Sequence, residues 1–104
     1  MTDKELLELA AKAAGIEGKI REIQVTYTTE TRIGIGKNRW NPLESDADAL
    51  RLAVKLNLKV MIRLLGAGVC SQDGKVNVSD YGEDPYAATR SAIVRAAAEI
   101  GRAM

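Results

Sequence analysis

Arg32, Lys37, Asn38, Arg39 and Trp40 fall within ten positions and place cation, amide and indole around Gly34 and Gly36. A guanidinium presents a planar fork to a phosphate or carboxylate, an amide adds donors, and an indole stacks on a base or a cation. These five residues form a candidate anion-binding site. The competing reading makes Trp40 a core anchor and Lys37 and Arg39 solvated loop charges. The spacing excludes a Walker A loop, which needs a glycine five residues before Gly36 and a hydroxyl residue after the lysine, where Thr31 and Asn38 stand. Gly66 and Gly68 likewise lack the third glycine of a dinucleotide fingerprint, since Ser71 occupies that position. Turns and close packing account for both glycine pairs.

Histidine is absent, which removes the commonest general base near neutral pH and the commonest transition-metal ligand. Cys70 is the only cysteine, so a structural zinc site is excluded and no base stands ready to activate the thiol. Asp46 and Asp48 open a helix, where capping and the helix dipole favour acids without any cation to bind. Asp80 completes the scattered carboxylates from which a weak hydrolase would have to be built. The inventory contains no catalytic constellation, so the expectation is a non-enzyme with no cofactor and no metal.

The 104 residues suit a single domain spanning 1–104. Fifteen basic and fourteen acidic side chains leave a net charge of +1, which removes the long-range field that draws a protein to nucleic acid or anionic lipid. Arg90, Arg95 and Arg102 could still form a local basic stripe, or merely the wet face of a helix. Near-neutral charge weakens repulsion between copies and favours a homo-oligomer. The lone cysteine and the polar opening Thr2-Asp3-Lys4-Glu5 point to the cytosol, and no apolar run is long enough to span a membrane.

Periodicity orders the elements as α-β-β-α-β-β-α. Thr2 and Glu5 form a capping box for a first helix ending near Gly15. Residues 20–28 alternate with period two, and Thr29-Glu30-Thr31 links them to a return strand at 32–36. Ser45 and Asp48 cap a second helix that runs to about Leu56. Leu58 to Leu65 is the most apolar strand and is expected at the centre of the sheet, followed by a break at Gly66-Ala67-Gly68. Asp73-Gly74 marks a hairpin between Val69-Cys70-Ser71 and Lys75–Ser79. Asp84 and Pro85 open a third helix, with Tyr86, Ile93, Ala97 and Ile100 on one face and Met104 near it. The predicted architecture is a single α/β (α+β) layered domain, a mainly antiparallel sheet flanked by helices.

The stretch Trp40-Asn41-Pro42-Leu43 with Asp48-Ala49-Leu50-Arg51-Leu52-Ala53-Val54-Lys55-Leu56, and the ending Asp84-Pro85-Tyr86-Ala87-Ala88-Thr89-Arg90 through Arg102, resemble small phage and prophage proteins of the ABA-sandwich type. The resemblance implies a sheet between helix layers and a host-cytosol location, and it brings no catalytic residues. Relatives of this type often carry Asp-Gly-Asp where this chain has Asp46-Ala47-Asp48. With the basic cluster, the resemblance implies an accessory protein that sequesters a small anionic, nucleotide-type signal of host defence. The alternatives are a protein-protein adaptor or inhibitor of a host factor, using an apolar helix face or sheet edge, and a nucleic-acid-binding protein.

Overall fold

The structure, a computed structural model, describes residues 2–16, 19–25, 28–35 and 38–104, and between 19 and 39 it describes the backbone and its pairing. The order is α1 (Asp3–Ala13), β1 (Lys19–Val25), β2 (Thr28–Ile35), β3 (Asn38–Trp40), α2 (Asp46–Lys55), β4 (Lys59–Arg63), β5 (Gly66–Cys70), β6 (Asn77–Tyr81) and α3 (Pro85–Arg102). The strands form two antiparallel three-stranded sheets, β1-β2-β3 and β4-β5-β6. The result is a compact α+β domain, as the periodicity predicts.

Helix ends follow the local chemistry. The Thr2 hydroxyl accepts from the Glu5 N–H at 3.2 Å, the Ser45 hydroxyl from the Asp48 N–H at 3.2 Å, and the Asp84 carboxylate from Tyr86 and Ala87 at 3.0 and 3.3 Å. α1 and α2 stop where Gly15 (φ 69°) and Asn57 (φ 54°) turn left-handed. The next residues then donate back across the last turn, Ile16 to the Ala11 carbonyl and Leu58 to the Ala53 carbonyl, each at 2.9 Å.

α3 is the hub. Its Ala88, Ala92, Ile93, Val94, Ala96, Ala97 and Ala98 are buried, and Ala92, Ile93, Val94, Ala96 and Ala97 enter a core that contains Leu7 and Ala10 of α1, Leu52 and Ala53 of α2, and Ala67, Val69 and Val78 of the second sheet. A core of such small residues demands close approach. A β-carbon placed on Gly101 would overlap the Leu9 carbonyl, so α1 crosses α3 backbone against glycine.

Five expectations need correction. β4 is an edge strand rather than the sheet centre, because Leu64-Leu65 forms a turn and the chain returns as β5 between β4 and β6. The expected break at Gly66-Ala67-Gly68 is therefore the central strand. There a β-carbon on Gly66 would overlap the Asp80 carbonyl, and the Arg63 guanidinium lies over Gly68. Thr29-Glu30-Thr31 belongs to β2 rather than to a link, since its backbone pairs with Gln24, Ile23 and Glu22. Tyr86 and Met104 are exposed rather than part of the inward face, because they lie beyond the elements covering the middle of α3. The segment after β2, read as a loop, contains the short strand β3. The positions 26–27 and 36–37, including Tyr27, Gly36 and Lys37, lie outside the described residues.

The Asp73-Gly74 hairpin forms, with its ladder closing at Cys70 and Asn77. Gly74 is left-handed (φ 76°), and the Asp73 carboxylate accepts from the Ser71 hydroxyl at 2.6 Å and the Lys75 N–H at 3.0 Å. The hydroxyl bond, with the backbone donor behind it, holds the Asp73 carboxyl below its ordinary value.

Candidate functional site

Trp40 ends β3 and is only 8% exposed, within the buried core cluster. The residues after it close a self-contained turn. Asn41 Oδ1 accepts from the Leu43 N–H at 3.1 Å, and the Asn41 carbonyl accepts from the N–H groups of Glu44 and Ser45. The Asp48 carboxylate reaches back to the Asn41 N–H at 3.0 Å while its other oxygen takes Arg51 at 3.4 Å. From α3, Arg90 donates Nε to the Leu43 carbonyl at 2.9 Å and pairs through its guanidinium with Asp46. Asp46 and Asp48 are thus committed to caps and pairs. Among the described residues no group of three His, Cys, Asp or Glu could hold a metal ion.

The register of the first sheet gathers its basic positions. It places Lys19 opposite Gly34 and Gly34 opposite Arg39, with Arg21 opposite Arg32 in the neighbouring row of the same face. Alternation along the strands assigns Ile20, Ile33 and Trp40, which also form one row, to the other face. Of the predicted site, Arg32 and Arg39 therefore share a face and Trp40 and Asn38 fall on the opposite one. Lys37 lies outside the described residues. Trp40 occupies the core-anchor role, so its indole is not available beside the cations.

Lys19 and Arg21 are the positions the sequence reading misses, although their spacing of two in a period-two stretch carries the signal. Like charges directly opposite in an antiparallel pair are destabilising, which makes the Arg21–Arg32 pair informative. The nearest acidic position on that face, Glu30, stands opposite Ile23 one row further on. Gly34 contributes no side chain at the centre of the Lys19–Arg39 row.

The arginines of α3 do not form one stripe. Arg90 serves the Asn41–Asp48 turn, whereas Arg95 and Arg102 line a polar groove of 510 Å³ with Lys75 and Glu99. Both of its arginines have acidic partners. Arg95 pairs with Asp80 and Arg102 with Glu99, and Asp80 also accepts from the Ser91 hydroxyl at 2.6 Å. Cys70 is half-buried at the end of β5.

No family model matches the chain, and no curated protein or solved structure matches it either. Among the described residues no helix is long and apolar enough to cross a membrane.

Proposed function

We propose that the chain is a non-catalytic binding protein that holds a small phosphate-bearing anion on the β1–β3 face through Lys19, Arg21, Arg32 and Arg39. The observation that carries the reading is the register, which sets Arg21 against Arg32 and flanks Gly34 with Lys19 and Arg39. An anion bridging the rows offsets the repulsion between them and gains charge-assisted hydrogen bonds. The commitment of Asp46, Asp48 and Asp80 to structural partners supports binding over chemistry. In the setting implied by the phage-type resemblance, the ligand is a nucleotide-type signal and the action is sequestration in the host cytosol.

Calorimetric titration with pyrophosphate, a nucleoside triphosphate and a short single-stranded oligonucleotide tests this. Saturable binding of the first two, lost in Arg39→Ala, is the expected result. Absence of heat with all three refutes the reading. Oligonucleotide binding that alone is tight and falls steeply with salt replaces it with a nucleic-acid interface.

A further inference from the structure

Arg95 and Arg102 take no part in the β1–β3 face, and the polar groove they line runs against a strand edge. Arg95, Glu99 and Arg102 stand at spacings of four and three on α3, so they share one side of the helix, and Lys75 and Asn77 line the same groove from the strand side. β6 is the last strand of its sheet, and among the described residues no strand pairs with its outer edge. Backbone hydrogen bonding identifies the groups that lie there. The Ser71 N–H donates to the Val76 carbonyl at 3.0 Å and the Gly82 N–H to the Leu65 carbonyl at 2.8 Å. The even-numbered residues of β6 therefore turn to β5, while Asn77, Ser79 and Tyr81 turn their N–H and C=O groups outward. Two of those groups are already used, since Arg95 donates to the Ser79 carbonyl at 3.4 Å and the Tyr81 N–H donates to the Asp80 carboxylate at 3.0 Å. The first of these contacts puts the Arg95 guanidinium at the edge itself. Among the described residues, the Asn77 N–H and C=O and the Ser79 N–H remain for a new strand.

We infer that this edge takes an acidic peptide segment of a partner protein, added as a strand beside Asn77 and Ser79 with its carboxylates against Lys75, Arg95 and Arg102. A donor and an acceptor on one residue, as at Asn77, are matched together by an extended backbone, whereas a fully ionised phosphate accepts only. Charge selects the kind of peptide. The groove lining has three cations to the one carboxylate of Glu99, and the neighbouring Asp80 and Asp73 accept from the Ser91 and Ser71 hydroxyls. Arg95 uses one guanidinium nitrogen for both Ser79 and Asp80, so its fork retains N–H donors for a further carboxylate. Alternate side chains of a strand point to the same side of the sheet, so acids at every second position fall on the α3 side.

Fluorescence anisotropy of a labelled peptide alternating glutamate and valine, titrated with the full chain, tests this. Comparison peptides are the same sequence N-methylated at each residue, which cannot pair with the edge, and one with lysine in place of glutamate. Lys75→Gln/Arg102→Gln is the protein variant, since both side chains are exposed and neither substitution opens the core. Arg39→Ala separates this edge from the β1–β3 face, and circular dichroism confirms folding. The expected result is saturable binding of the acidic peptide alone, weakened about tenfold or more in Lys75→Gln/Arg102→Gln and unchanged in Arg39→Ala. Absence of saturable binding, equal binding of either comparison peptide, or an affinity that the double variant leaves unchanged overturns the inference. Loss of binding in Arg39→Ala assigns the peptide to the β1–β3 face and overturns it too.

Discussion

The Asn41–Asp48 turn and the β1–β3 sheet adjoin at Trp40, and both are rich in polar residues. In the turn, Asn41, Asp46, Asp48 and Arg90 are joined to one another or to backbone groups. Across the sheet, the register instead brings Arg21 to Arg32 and Lys19 and Arg39 to the two sides of Gly34. The first arrangement is what folding alone selects, since each polar group gains a partner when water is withdrawn. The second sets like charges opposite one another, a pairing that costs stability in an antiparallel sheet, and positions that break such a rule point to function.

This contrast breaks if the residues on its two sides respond alike. The largest effect belongs to Trp40→Ala, which should lower unfolding free energy by about 3–5 kcal/mol in urea melts followed by circular dichroism, because it empties a buried core position. A Trp40→Ala protein of unchanged stability that had lost anion binding would move the indole to the ligand side. Asp48→Ala comes next, at about 1–3 kcal/mol in the same melts, because it leaves the part-buried Asn41 N–H without its carboxylate acceptor. Arg21→Thr should act in the opposite direction. It removes a like-charge cross-strand pair and installs a strand-favouring residue, so stability should hold or rise by roughly 0.2–1 kcal/mol.

The smallest effect concerns the β5–β6 hairpin. The Asp73 carboxyl is lowered chiefly by the Ser71 hydroxyl, so its folded-state value lies below its unfolded one. Its contribution is therefore complete above the ordinary carboxylate range and lost as pH falls through the lowered value. Asp73→Asn should lower the neutral-pH melting temperature slightly, toward the value the wild type reaches in acid, and so flatten a shallow acid-side decline.

Much of this fold is legible in local sequence because capping and periodicity act over a few residues. Thr2, Ser45, Asp84 and the Asp73-Gly74 turn all perform the roles their types predict. Strand order is not local. Leu58–Leu65 reads as the sheet centre because it is the most apolar run, yet the sheet is centred on the small-residue strand Gly66–Cys70, which packs under α3. The basic rows are illegible for the same reason. Lys19 and Arg21 lie more than ten positions from Arg32 and Arg39 in the chain, and only the hairpin register makes them neighbours. Proximity in sequence groups Arg39 with Trp40, whereas strand alternation separates them onto opposite faces.

Isothermal titration of a nucleoside triphosphate into the wild type and Arg21→Thr, paired with their melting curves, tests the central claim most directly. The account predicts that Arg21→Thr binds roughly tenfold to a hundredfold more weakly, the loss expected for a charge-assisted contact, while melting at the same temperature or higher. Equal binding by the two proteins, or a loss of binding accompanied by a lower melting temperature, would contradict it.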